Sequence, residues 1–90
     1  MATTITMYST PWCGYCKRLK LQLQNDGIHF VEIDISQDPE AERFVVGINS
    51  GDATVPTLRF ADGSVLTNPT AAQVRQQLGV APPVPRTSLF

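Results

Sequence analysis

The chain holds two cysteines, Cys13 and Cys16, three positions apart in the stretch that begins at Trp12. The β-branched and apolar residues 3–8 predict a strand before them, and the helix formers of residues 17–24 predict a helix after them. At the start of a helix, unpaired N–H groups and the positive end of the dipole favour Cys13 as a thiolate, the nucleophilic form of sulfur. Cys16 lies one turn further on the same face, where its sulfur can attack a mixed disulfide on Cys13.

A disulfide between Cys13 and Cys16 would close a very short loop. Closing so few residues removes little chain entropy from the unfolded state, so the bond adds little stability and is easily reduced. The pair therefore predicts a disulfide that forms and breaks in a reaction cycle rather than one that holds the fold together.

Two other uses of such a pair are a zinc site and a structural crosslink. Zinc would lack ligands, because the chain has no further cysteine and its one histidine, His29, falls in a predicted strand and is expected at the surface. A structural disulfide would join only neighbouring residues in a chain whose 42% hydrophobic content is enough for a core without it. We therefore expect redox chemistry and no metal site.

The size and charge of the chain narrow the remaining functions. Ninety residues predict one small domain, which we assign to residues 1–80. A formal charge of −1 with 17% charged residues gives no broad basic field, so nucleic acid is not an expected partner. No signal segment or membrane-spanning apolar run is found, so we expect a cytoplasmic monomer that does not bind membranes. In that reducing compartment a cysteine pair is more consistent with catalysis than with crosslinking.

The first half of the chain predicts a βαβ unit followed by a helix. The first helix ends at Asn25-Asp26-Gly27, and the second strand covers residues 28–35, with an alternating pattern that suits a sheet edge. Strand, helix and strand within about 30 residues make the two strands parallel with a right-handed crossover. Asp38 then caps a second helix, which Asn49 and its neighbours end.

The second half predicts a hairpin, a helix and a tail. Residues 58–61 and 64–67 form antiparallel strands around Asp62-Gly63 as a two-residue turn. Thr70-x-x-Gln73 is a capping box that begins the last helix. Residues 81–90 contain three prolines and are expected to be a flexible tail.

This order, β-α-β-α-β-β-α, with C-x-x-C after the first strand and Val55-Pro56 before the third, resembles the thioredoxin-like fold in its glutaredoxin form. The resemblance covers residues 3–79 and implies an α/β protein whose four-stranded mixed sheet has helices on both faces. Within the glutaredoxins, the segments 12–16, 54–57 and 60–69 are most similar to those of the mycoredoxins, which work with the sugar-bearing thiol mycothiol.

The resemblance to mycoredoxins implies a thiol-disulfide oxidoreductase that reduces mixed disulfides between proteins and mycothiol. Cys13 would be the nucleophile, Cys16 the second thiol, and mycothiol the reducing co-substrate, with no tightly bound cofactor. Mycothiol and S-mycothiolated proteins would be the partners. The resemblance also implies that Pro56 is cis and faces the cysteines, so that the backbone of Val55 offers paired hydrogen bonds to a bound thiol compound.

Aromatic residues beside a strand end often pack against the next helix, and we expect this chiefly of Trp12, whereas we expect Tyr15 to form a wall of the thiol site. Some basic side chains are further candidates for contacting a ligand or a partner, namely Lys17, Arg18 and Arg59. The residues assigned to binding of the thiol substrate are Trp12, Tyr15, Thr54, Val55 and Pro56.

The chain departs from glutathione-dependent glutaredoxins just before the last helix. Those proteins usually carry a Gly-Gly pair and an acidic residue that grip the carboxylate and amine of glutathione. This chain has Val65-Leu66-Thr67-Asn68-Pro69 instead. The difference argues against glutathione and is compatible with a hydroxyl-rich ligand.

Two alternatives remain within the same superfamily. Redoxins that pass electrons from thioredoxin reductase to ribonucleotide reductase usually have a different pair between the cysteines and an aromatic-Gly-Phe-Arg-Pro segment, and this chain has neither. Glutaredoxins that carry iron–sulfur clusters use the first cysteine as a ligand, and Gly14 in place of the usual proline leaves a looser motif that could permit this.

Overall fold

The computed structural model describes residues 5–79. The predicted order of elements is confirmed. Residues 3 and 4 of the predicted first strand and the predicted tail at residues 81–90 lie outside the described residues. The elements are β1 (Ile5–Ser9), α1 (Gly14–Asn25), β2 (Val31–Asp34), α2 (Pro39–Ile48), β3 (Thr57–Phe60), β4 (Val65–Thr67) and α3 (Ala71–Leu78).

The four strands form one mixed sheet in the order β2-β1-β3-β4. β1 pairs with β2 in parallel and with β3 antiparallel, so that Thr6 lies between Val31 and Arg59. The predicted βαβ unit and the edge position of β2 are therefore confirmed. β2 is shorter than the predicted strand at residues 28–35. The N–H of Ile28 donates to the carbonyl of Leu23 at 2.9 Å and so closes the end of α1 instead of pairing in the sheet.

Helices cover both faces of the sheet, as predicted. Residues of β1 alternate, so Ile5 and Met7 face α1 and α3 while Tyr8 faces α2. The cluster under α1 and α3 contains Ile5, Met7, Leu19, Leu23, Leu58, Phe60, Ala71 and Val74. The smaller cluster under α2 contains Tyr8, Ile35, Ala41 and Val45.

The hairpin between β3 and β4 differs from the predicted two-residue turn. Phe60 donates its N–H to the carbonyl of Ser64 at 2.8 Å, which leaves residues 61–63 as a three-residue loop. The carboxylate of Asp62 accepts from the N–H of Ser64 at 2.9 Å, and Gly63 takes a positive φ of 90°. Both loop lengths use a glycine at positive φ, so an Asp-Gly pair alone does not distinguish them.

The caps of α2 and α3 are those that the sequence predicts. The carboxylate of Asp38 accepts from the N–H of Ala41 at 3.1 Å, and Thr70 and Gln73 form the capping box. Gly79 ends α3 in the left-handed conformation with φ 72°. Over residues 5–79, no helix has the length and apolar content needed to cross a bilayer.

The core under α1 can be tested with two leucines of the same helix. Leu23 is completely buried, so Leu23→Ala should lower the free energy of unfolding by about 2–5 kcal/mol through lost burial and a cavity. Leu21 is 61% exposed, so Leu21→Ala should change it by less than about 0.5 kcal/mol. Urea denaturation measures both, and equal losses would contradict the packing described.

Candidate redox site

Cys13 occupies the N-cap position of α1, with an extended backbone of φ −86° and ψ 109°. Its sulfur accepts the backbone N–H of Cys16 at 3.2 Å, as a serine or aspartate oxygen would at a helix cap. The side chain is partly exposed. The predicted placement at the helix start is thus confirmed, and the sulfur accepts a backbone hydrogen bond at the positive end of the helix dipole.

The loop before β3 lies against Cys13. The peptide bond between Val55 and Pro56 is cis, as the resemblance implied. The sulfur of Cys13 lies 3.8 Å from the carbonyl oxygen of Val55, to which the thiol donates. Cys13 and Val55, which are 42 residues apart in the chain, therefore meet at one place.

Polar side chains behind this loop hold it in position. The hydroxyl of the fully buried Thr57 donates to the carbonyl of Thr54 at 2.7 Å. Asn49 donates its side-chain amide to that hydroxyl at 3.2 Å and accepts from the hydroxyl of Thr67 at 2.7 Å. The sequence predicts Asn49 only as a helix end, and no local pattern marks this role because its partners come from different elements.

Cys16 is held very differently from Cys13. It is 1% exposed. Burial raises the pKa of its thiol to about 12. The hydrogen bond with Cys13 and the negative charges of Cys13 and Glu32 also raise this pKa, whereas a hydrogen bond with the backbone of Thr10 lowers it. Cys16 therefore remains a thiol at neutral pH.

Glu32 is a site residue that sequence analysis missed. With Cys16 and Lys20 it lines a cleft of about 300 Å³ behind the cysteine pair. Burial alone would raise its pKa, but donation from the Ser9 hydroxyl at 2.8 Å and from Lys20 at 3.0 Å lowers it below the ordinary value. Glu32 is thus a carboxylate whose charge disfavours a thiolate at Cys16. The alternating pattern of β2 indicated only an exposed position.

The aromatic and basic candidates take different places. Trp12 is 74% exposed, so the prediction that it packs is wrong, because the turn closed by the N–H of Cys13 and the carbonyl of Thr10 holds it away from the core. Tyr15 is also exposed, and its role as a wall of the thiol site stays a prediction.

Lys17 and Arg18 are exposed on α1. Arg59 lies on the α2 side of the sheet, with its guanidinium carbon 4.9 Å from the centre of the Phe44 ring.

The arrangement contains one accessible sulfur at a helix start and one buried thiol on the next turn. It can carry out thiol-disulfide exchange at Cys13. Within residues 5–79, no three His, Cys, Asp or Glu side chains gather closely enough to hold a metal ion.

The glutaredoxin family model matches residues 5–66, a span that includes the cysteine pair and the cis-proline loop. The chain belongs to the glutaredoxin family. This glutaredoxin therefore has the fold that the sequence resemblance implied, and the members of its family are in general thiol oxidoreductases.

Relatives of this glutaredoxin include Mycoredoxin 1 from Corynebacterium glutamicum, which is 44% identical over 72 residues, or 80% of this chain and 89% of that protein. A Mycobacterium tuberculosis protein that is provisionally described as a glutaredoxin is 47% identical over 87% of this chain and 93% of its own length. The predicted similarity to mycoredoxins is thus confirmed.

Solved structures share the fold of this glutaredoxin. The NrdH-redoxin from Escherichia coli has a TM-score of 0.69 at 22% identity and covers 91% of this chain and 99% of its own. The glutaredoxin from Methanosarcina mazei has a TM-score of 0.70 at 23% identity, covering 84% and 78% respectively. At these identities the likeness shows the fold alone.

The two thiols should differ in their reaction with iodoacetamide. Cys13 should be alkylated readily at pH 7, whereas Cys16 in the Cys13→Ser variant should react slowly and continue to gain rate beyond pH 10, since burial raises its pKa. Labelling followed by mass spectrometry measures both. Faster reaction of Cys16 near neutral pH would reverse the assignment of roles.

Proposed function

We propose that this glutaredoxin reduces mixed disulfides between proteins and mycothiol, with Cys13 as the nucleophile. The observation that carries the proposal is the contrast between an accessible sulfur at the start of α1 and a buried thiol whose pKa is raised to about 12. The 44% identity to Mycoredoxin 1 supports mycothiol as the thiol. The partners are then mycothiol and S-mycothiolated proteins. The protein itself would be a cytoplasmic monomer with no tightly bound cofactor, and residues 1–80 would form its one domain.

The reaction needs two exchange steps at one sulfur. The thiolate of Cys13 attacks the mycothiol sulfur of the mixed disulfide, a new disulfide forms between them, and the target protein leaves as a thiolate that takes up a proton. A second mycothiol, as its thiolate, then attacks the same mycothiol sulfur. It releases Cys13 as a thiolate together with mycothiol disulfide, so the electrons come from mycothiol.

The Val55 loop has a place in this cycle. In the resting protein the thiol of Cys13 donates to the carbonyl of Val55. A thiolate has no proton to donate, so ionisation of Cys13 leaves that carbonyl able to accept an N–H of the incoming thiol compound. Thr54 and Pro56 complete the loop as predicted binding residues. Trp12 and Tyr15, which are exposed and close to Cys13 in the chain, are the other two.

The single-nucleophile route predicts that Cys16 is dispensable. Cys16→Ser should retain the removal of mycothiol from a mycothiolated protein, within about threefold of wild type, whereas Cys13→Ser should lose it, because only Cys13 forms the intermediate. Release of mycothiol with mycothiol and its reductase as the electron source is the measurement. An inactive Cys16→Ser protein would instead require a disulfide between the two cysteines in every turnover.

The choice of reductant tests the thiol specificity. Oxidised protein should be recycled faster by mycothiol with its reductase than by glutathione or by thioredoxin reductase, because the segment before α3 lacks the Gly-Gly-acid grip for glutathione. Consumption of NADPH in each system at equal reductase activity gives the comparison. Recycling chiefly by thioredoxin reductase would favour the dithiol donor class, and chiefly by glutathione an ordinary glutaredoxin.

A further inference from the structure

A groove of about 610 Å³ runs between α1 and α3 and starts beside Tyr15. This volume lies in the range of about 300–1,000 Å³ that is typical of small-molecule sites. Its α1 wall follows one helix face, since Tyr15, Arg18, Gln22 and Asn25 succeed one another at intervals of three or four residues. Neither cysteine lines the groove, and of the thiol-binding residues named above only Tyr15 does.

The walls of the groove are rich in groups that both donate and accept hydrogen bonds. Gln22 and Asn25 contribute side-chain amides from α1, and Asn68 and Thr70 contribute an amide and a hydroxyl from the segment that leads into α3. Hydroxyl groups of a ligand also donate and accept, so a polyhydroxylated ligand matches this set. A carboxylate only accepts hydrogen bonds and a protonated amine only donates them, so either would use only half of the hydrogen-bonding capacity of these side chains.

The charged residues of the inner wall compensate each other. Arg75 donates from Nη1 to the carboxylate of Asp26, and both side chains are mostly buried. The Nε–H of Arg75 is buried and has no acceptor among residues 5–79. This nitrogen is out of reach of solvent and therefore of a ligand, so the paired charges of Asp26 and Arg75 leave the inner wall suited to a neutral ligand.

We propose that this groove binds the sugar part of mycothiol while the mycothiol sulfur is attached to Cys13. The inference rests on the proposed function, because it takes the same thiol as its ligand. Tyr15 belongs both to the C-x-x-C motif and to the groove, so a ligand held at Cys13 reaches the groove past its ring. The groove would then be what distinguishes mycothiol from thiols that carry no sugar.

The test compares two disulfides that differ only in the sugar. One cysteine peptide is blocked with mycothiol and, separately, with the N-methylamide of N-acetylcysteine, which lacks the sugar but keeps the amide and gives the N-acetylcysteine peptide. The rate constant for release of the peptide thiol by reduced protein is then measured. Removing two hydrogen-bonding side chains in Gln22→Ala/Asn25→Ala should slow the mycothiol peptide about tenfold, since each such bond changes an equilibrium a few-fold. The N-acetylcysteine peptide should react as with wild type. Gln24→Ala, an exposed glutamine of the same helix outside the groove, is the matched control.

A second variant fills the groove without removing a hydrogen-bonding group. Ala72 is exposed on α3 and lines the groove, so Ala72→Phe should slow only the mycothiol peptide. Gln76→Phe, on α3 but outside the groove, should not. Thermal unfolding shows that each variant is folded.

The outcomes separate the two proposals. If wild type prefers the mycothiol peptide and both groove variants keep that preference, the sugar binds elsewhere and the proposed function stands. If wild type attacks both peptides equally fast, the sugar is not recognised and both the groove and the mycothiol specificity are overturned. Loss of the preference in both groove variants, with both controls unchanged, supports the proposal.

Discussion

The hydrogen bond from the backbone of Cys16 to the sulfur of Cys13 makes the reactive atom part of the helix that carries it. A sulfur that caps α1 cannot move without uncapping the helix, so its position is as well defined as the helix itself. That position in turn depends on packing. Leu19 and Leu23 fix α1 against the sheet, and β1 ends at Ser9, only four residues before Cys13. Much of the structure therefore serves to keep one sulfur at one helix start.

The second requirement is that the two sulfurs differ. Cys13 is partly exposed and caps the helix, while burial and the nearby carboxylate of Glu32 oppose charge on Cys16. Ser9 and Lys20 keep Glu32 ionised through two hydrogen bonds, so the contrast does not rest on burial alone. A pair of identical residues three positions apart thus has two chemical characters because one faces solvent and the other faces the sheet.

The sequence predicted those features that short-range patterns determine. Helix caps such as Asp38 and Thr70 were predicted from the few residues that follow them in the chain, and the edge position of β2 from its alternation. Features that need partners from several elements were missed. Asn49 bridges α2, β3 and β4, and Glu32 comes to lie near the cysteine pair only when β2 pairs with β1. The cis bond and the place of Val55 came from family resemblance, since Val-Pro alone does not specify either.

The three-residue loop of the hairpin joins two strands whose pairing limits which insertions and deletions the gene can tolerate. It sets a register in which Leu58 pairs with Leu66, and two residues later the N–H of Asn68 reaches the carbonyl of Pro56 at 2.7 Å. Inserting a single codon at the start of β4 would shift this strand by one residue against β3, turning Leu66 away from the core and Asn68 away from the cis-proline loop. A change in the length of β4 would therefore disturb the cis-proline loop. Through the contact of Val55 with Cys13, it would also affect a cysteine more than forty residues away in the chain.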